Sequence, residues 1–443
     1  MKVRTRFAPS PTGNLHIGGL RSALYPYALA KRNGGDFILR IEDTDKKREV
    51  LGSKEKIGEN LKLFGISWDE YYVQSERLDI YKKAAEKLIK EGHAFYCDCK
   101  ARNAKTEGFT KILRDPCRDK NKTSGAIKLK VPENETVSYH DLVLDKNISW
   151  DTNDVQDATL LKSDGYPTYH LAAMTDDLEM KITHVLRGHD WMPSTPIHLL
   201  VYKYLGGQMP ELGHLTDILD PEGGKLSKRK GSTSVEGLIA EGYLPGAILN
   251  FIMLLGWAPK DNKELFTLEE FVKAFDVKGL QKSNPVFNRE KLDWFNGQYI
   301  RQFSDDELKI KLQIQNSKFA ELSEDKQLAI TGLLKDRIVK LTDINNFAKF
   351  FFETPEIDKN LFGESYKEHL KMAINVIENI KDFDLENLNN KLMDAIKTNN
   401  FKTGDFFMTL RIAITGQKFT PPINDSIIIL GREETLKRLK SSL

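Results

Sequence analysis

"VRTRFAPSPTGNLHIGG", residues 3–19, decides how the first half of the chain is read. It opens on a short β-rich segment, "VRTRFA", and passes into a loop rich in proline and glycine. Beyond the loop, Leu20, Leu24, Tyr27, Ala28 and Ala30 recur at roughly helical spacing. Gly34 and Gly35 stop that helix, and "DFILRI" has the continuous apolar character of a buried strand. Strand, loop, helix and strand in this order predict the first unit of a parallel, doubly wound α/β sheet.

The loop is neither of the common phosphate loops. No Gly-Lys-Ser/Thr follows it, and it is not G-x-G-x-x-G. What it carries is His16 just before the helix start, with Gly18 and Gly19 behind. Amides at a helix start favour anions, and an imidazole there can bond a phosphate oxygen as charge develops. By itself the loop reads equally well as a proline-rich turn with a packed histidine.

Helical patterning continues through "SERLDIYKKAAEKLIKEG" to Gly92. From about residue 96, "AFYCDCK" and "GAIKLKVPEN" read as an inserted module of loops and short strands. The α/β pattern returns at "DATLLKSDGYPTYHLA" and "ITHVLRGHD", and after residue 240 the chain is helical throughout. The division expected is 1–95 and 156–238 for two halves of one α/β domain, 96–155 for the insertion, and 239–322 and 323–443 for two helical domains.

With 443 residues the chain is too long for one ordinary core. Its 40% hydrophobic and 29% charged content is that of a globular protein. A net charge of +2 excludes a global basic field, so a polyanion would have to meet local patches. No signal-like or membrane-length apolar run occurs, and three cysteines argue against a disulfide framework. The expectation is a soluble cytoplasmic protein with no membrane partner, acting as a monomer.

"GGKLSKRKGS", residues 223–232, packs four basic residues between glycines. On charge alone it is a solvated patch. Beside the His16 loop it has a sharper meaning, because lysines on a glycine-flanked loop can neutralise a departing pyrophosphate. HIGG (16–19) and KLSKR (225–229) resemble the HIGH and KMSKS signatures of class I aminoacyl-tRNA synthetases. "TRFAPSPTG", "LRIEDTD", "LKSDGYPTYHLA", "STPIHLLVY" and "FNREKLDWFNGQYIR" further resemble the bacterial glutamyl-tRNA synthetases.

That resemblance implies a Rossmann-like class I catalytic domain, an inserted α+β module for the tRNA acceptor end, and all-α stem-contact and anticodon-binding domains. It implies ATP-dependent activation of L-glutamate and transfer to tRNA(Glu), with tRNA(Gln) as a second candidate acceptor. ATP would come with Mg2+. His16, Lys225 and Lys228 take the catalytic role, and Thr12, Gly18, Gly19, Trp191, Leu226, Ser227 and Arg229 join them around ATP. Glutamate falls to Arg6, Ala8, Ser10, Glu42, Tyr169 and Arg187. In this pattern the two arginines hold the side-chain carboxylate, Glu42 the ammonium, and Tyr169 donates its hydroxyl. His189 stands where the family more often has an acidic residue. Members of the family typically need bound tRNA before they activate the amino acid. Arg337 is the one anticodon contact suggested.

Cys97, Cys99 and Cys117 have a close pair and a third thiol, the pattern of a structural zinc site that some family members carry. No fourth ligand stands out among His93, Asp98, Asp115 and Asp119, so zinc and three reduced thiols read about equally, tipping to no metal. A glutaminyl enzyme is the runner-up, although its anticodon module is typically a β-barrel. A non-catalytic tRNA-binding paralogue would be expected to lose His16 or the two lysines, and this chain retains them.

Overall fold

The computed structural model describes residues 2–99, 113–226 and 233–443. It divides into two compact units, Met1–Leu238 with Ile248–Arg289, and Ile239–Ala247 with Glu290–Leu443.

In the first unit the quoted stretch folds as its pattern predicts. Strand β1 (Arg4–Phe7) leads into helix α1 (Ile17–Arg32) and strand β2 (Asp36–Ile41). Strand β3 (Glu70–Val73) follows helix α2 (Ser53–Leu63), and the three strands form a parallel sheet in the order β1-β2-β3. Five of the six residues of β2 are buried, as a strand covered on both faces requires.

Helix α3 (Leu78–Lys90) leads to β4 (Ala94–Cys97), β5 (Ala126–Leu129) and later β8 (Thr159–Leu161), an antiparallel sheet in the order β4-β5-β8. The hairpin of β6 (Thr136–Asp141) and β7 (Lys146–Asp151) belongs elsewhere. Strand β6 runs parallel to β10 (Glu211–Leu215), which runs parallel to β9 (His184–Gly188). The segment between the halves therefore lends strands to the sheet of β9 and β10 as well as forming a sheet of its own.

The two parallel sheets meet at β1 and β9, where the Thr183 N–H donates to the Arg4 carbonyl at 2.9 Å. Here the strand order reverses direction. In a doubly wound sheet this is the crevice beyond the strand ends where ligands bind. Helices α4 (Tyr169–Glu179) and α5 (Thr195–Leu205) pack on one another and bury Leu171, Ala172, Leu200 and Val201 in the shared core. Truncating such a leucine costs about 2–5 kcal/mol.

The second unit has no strand among its described residues. Phe350, Leu370, Leu392, Phe406, Leu410 and Leu439 form its core. Its helix Asp305–Gln315 begins with a reciprocal cap, in which Ser304 accepts from the Glu307 N–H and Glu307 accepts from the Ser304 N–H.

Candidate active site

His16 is the N-cap of α1. Its backbone is extended, and its Nδ1 accepts the Gly19 N–H at 3.1 Å. The ring lies over the first turn, and a Cβ on Gly18 would sit 3.0 Å from it. A Cβ on Gly19 would press within 2.8 Å of Leu15. The glycines thus admit the imidazole to the helix N-terminus. No acidic side chain occupies that turn, so its partial positive charge is left for an anion.

The two signature loops are joined through the backbone. The Ile17 N–H donates to the Thr233 carbonyl at 3.1 Å, and the Val235 N–H to the Leu15 carbonyl at 2.9 Å. The basic loop leaves from a small hairpin in which the Leu226 N–H donates to the Ile218 carbonyl at 2.9 Å. Its turn places Gly223 and Gly224 at φ of 100° and 81°, a left-handed region that favours glycine. Ser227, Lys228 and Arg229 lie outside the described residues. Lys225 is described, and it forms ion pairs with Asp190 at 2.6 Å and Asp217 at 2.9 Å. Asp190 comes from the turn His189–Ser194, which His189 opens and which also carries Trp191.

Two clefts adjoin at His16 and Gly18. One, of about 310 Å³, is lined by Lys225, Leu226, Asp190, Asp217 and Arg21. The other, of about 340 Å³, gathers Arg6, Ala8, Ser10, Thr12, Gly19, Glu42, Tyr169, Arg187 and Trp191. Trp191 stacks on Tyr169 at 3.7 Å between ring centres and so belongs to this second cleft.

The charges behind the second cleft form two different networks. On the β1–β2 side, Arg6 Nε donates to Asp177 at 3.2 Å, and Arg40 binds Asp177 at 2.7 Å and Glu42 at 3.1 Å. Asp176 receives Arg77, Gln74 and Tyr81. Burial works hardest against the charge on Arg6, but Asp177, Tyr169 and Tyr202 together more than offset it and raise its pKa. Burial lifts the Glu42 carboxyl to about 7 even though Arg40 and Arg6 pull it down.

On the β9–β10 side, Arg187 donates to His214 Nε2, His198 Nδ1 and Thr195 Oγ1 at 2.9–3.0 Å. Burial holds His198 well below its ordinary pKa, and it lowers His214 as well.

In the segment between the halves, ligand atoms of Cys97, Cys99, Cys117 and Asp115 lie within 4.8 Å of one another. Cys99 and Cys117 are 3.4 Å apart at sulfur. Burial pushes the Cys97 thiol up to about 12. In the helical unit, Arg337 lies just past the helix Glu324–Lys335 and donates to the Leu333 carbonyl of that helix. It borders a groove of about 420 Å³ walled by Leu385, Pro422, Ile428 and Ile429.

Sequence reasoning missed Arg40, Asp176, Asp177, Asp141, His198, His214 and Arg21. Some signals were available. Arg40 interrupts an apolar buried strand, and Asp176 and Asp177 sit together on a helix with an apolar face. A charge in a core element implies a buried partner. Arg21 likewise lies on an apolar helix, and its guanidinium donates to the carbonyls of Leu255 and Thr216.

Residues 2–294 match the family of class I tRNA synthetases (E and Q), catalytic domain, and residues 296–443 match the anticodon binding domain family. The chain is 38% identical to a glutamate–tRNA ligase of Dehalococcoides mccartyi, over 100% of this chain and 97% of that one. It is 39% identical to the glutamate–tRNA ligase of Clostridium tetani, over 99% and 97%. The crystal structure of a glutamate tRNA ligase from Elizabethkingia meningosepticum, in complex with its amino acid, superposes with a TM-score of 0.86 at 36% identity, covering 100% and 99% of the two chains.

Proposed function

The chain belongs to the class I tRNA synthetases of the glutamate and glutamine group, and from that premise we propose that it is a glutamate–tRNA ligase. The observation that carries the choice of amino acid is Arg187, a buried cation that no carboxylate among the described residues neutralises, facing the cleft beside His16. An amino acid with an ionised side chain supplies the missing charge, and glutamine does not.

The α-carboxylate of glutamate attacks the α-phosphate of ATP, forming glutamyl-AMP and releasing pyrophosphate. The nucleophile is already ionised, so positioning and charge stabilisation carry the step. ATP enters as its magnesium complex. His16 and the α1 N-terminus face the phosphates, with Lys225 across the cleft, and the motif assigns Lys228 to the same role. Lys225 must exchange Asp190 and Asp217 for phosphate. The 2′-hydroxyl of the terminal ribose then attacks the adenylate carbonyl, and AMP leaves.

Residues 96–155 hold the acceptor end, 239–322 contact the stem, and 323–443 read the anticodon. Arg337 beside an apolar groove suits a splayed base. Of the four candidates the sequence left open, Asp115 is the one that would supply the fourth ligand. Three sulfurs and a carboxylate converging on one point fit a structural zinc. Its chemistry would be to tie the ends of the inserted segment together.

The test is charging of purified tRNA(Glu) and tRNA(Gln) with glutamate and with glutamine. Charging of tRNA(Glu) with glutamate is expected, and glutamate-dependent ATP–pyrophosphate exchange should be weak until tRNA is added. Lys228→Ala should lower adenylate formation by about 100-fold or more. Full-rate adenylation in that variant returns the basic loop to a surface patch. Metal analysis should find one zinc per chain, lost in Cys97→Ser and reduced in Asp115→Ala.

A further inference from the structure

Arg6 and Arg187 line one cleft, yet among the described residues only Arg6 of the two has a carboxylate partner. It shares Asp177 with Arg40, whereas the hydrogen bonds of Arg187 run to two imidazoles and a hydroxyl. We propose that His214, His198 and Asp141 are positioning residues for Arg187, which hold its guanidinium with neutral acceptors and so reserve its charge for a carboxylate on the bound amino acid. The proposal rests on the reading of Arg187 as a glutamate ligand.

Proton positions follow from the partners. Asp141 accepts from His214 Nδ1 at 2.7 Å, which leaves Nε2 as the lone pair that accepts from Arg187 Nε at 3.0 Å. His198 Nδ1 accepts from Arg187 Nη1 at 3.0 Å, and its Nε2 then carries the proton shared with His170 Nδ1, also at 3.0 Å. Thr195 Oγ1 donates to the Trp191 carbonyl and accepts from Arg187 Nη2 at 2.9 Å. A guanidinium has five N–H bonds. Three are committed, one from each nitrogen, which leaves one on each terminal nitrogen. Those two donors remain for a carboxylate.

Asp141 is itself fixed from other directions. It receives the Tyr139 hydroxyl at 2.7 Å and the N–H groups of Val143 and Leu144 at 3.0 and 2.9 Å. Its charge reaches Arg187 only across the His214 ring, so it sets the tautomer without forming an ion pair with the arginine. A carboxylate in the place of either imidazole would satisfy the same N–H bonds and cancel the field that tells glutamate from glutamine. The hairpin of β6 and β7 therefore contributes to amino-acid choice from behind the cleft, through one aspartate.

The test compares steady-state charging by full-length variants at saturating tRNA, with KM read separately for glutamate and ATP. Arg187→Gln should raise the glutamate KM by about 100-fold or more. His214→Leu and Asp141→Asn should each raise it by about 10- to 30-fold, with the ATP KM moved less than about twofold and the selectivity over glutamine reduced. His214→Gln, whose amide oxygen still accepts from Arg187, should recover most of that loss. If Arg187→Gln leaves the glutamate KM in place, the glutamate reading of Arg187 falls and the proposal with it. If Arg187→Gln acts as expected but His214→Leu and Asp141→Asn stay within about twofold, only the positioning proposal is overturned. Glutamate KM, ATP KM and melting temperature shifting together, without recovery in His214→Gln, would assign these residues to folding and overturn it as well.

Discussion

The two walls of the cleft that gathers Arg6 and Arg187 are built on opposite electrostatic plans. On the β1–β2 wall, Arg6, Arg40 and Arg77 meet Glu42, Asp176 and Asp177, cation against anion. On the β9–β10 wall, Arg187 meets His198, His214 and Thr195. Such a buried network loses much when its shared anion Asp177 is removed, because two cations are left unpaired. A wall that keeps one charge uncompensated binds less protein to itself and more ligand. Stability should therefore reside in the first wall and charge recognition in the second.

The largest expected effect breaks the first wall. Asp177→Ala leaves Arg6 and Arg40 facing one another with too few anions, and it should lower unfolding stability by about 3–5 kcal/mol in denaturant titrations. An unfolding midpoint unchanged from the parent protein would erase the distinction between the walls.

A smaller effect comes from Glu42, the one member of the first wall whose carboxyl is raised, to about 7, by burial. A carboxyl raised in the folded state gives stability that is complete below its unfolded pKa and lost as pH rises through about 7. The free protein should therefore lose stability between about pH 4.5 and 7 on account of this group. Glu42→Gln should remove the loss, with a gain of about 1–3 kcal/mol at pH 8 that shrinks toward pH 5. In charging assays the parent's glutamate KM should fall as pH rises through about 7, because only the carboxylate attracts the ammonium. A glutamate KM flat from pH 6 to 8 would detach Glu42 from the ligand.

The smallest effect tests the second wall. Thr195→Val removes one acceptor from Arg187 and should raise the glutamate KM about fivefold, near 1 kcal/mol. Thermal melting should not move. A melting shift without a KM change would make this wall structural too.

Residues named from the sequence come together in two adjoining clefts. The residues Arg6, Glu42, Tyr169 and Arg187, named on motif resemblance, line one cleft, and His16, Gly18, Lys225 and Leu226 line the adjoining one. Motif resemblance placed them, and all but Lys225 and Leu226 lie in or beside the end of a strand or the start of a helix, where local pattern is strongest. The partners were not legible. Asp177 lies 171 positions from Arg6, and Asp141 lies 73 from His214. The stacking of Trp191 on Tyr169, and the convergence of Asp115 on three thiols, are likewise products of packing.

The sequence by itself determined the strand–loop–helix–strand start, the helical second half and the resemblance of HIGG and KLSKR to one family's signature pair. Those are periodicities and short-range signals, written within a few turns of chain. The tertiary structure alone decided that the two loops are sewn together at Leu15–Ile17 and Thr233–Val235, and that one arginine is neutralised while its neighbour is not. A buried charge acquires its meaning from whatever the fold brings within about 4 Å of it, and no local pattern specifies that neighbour.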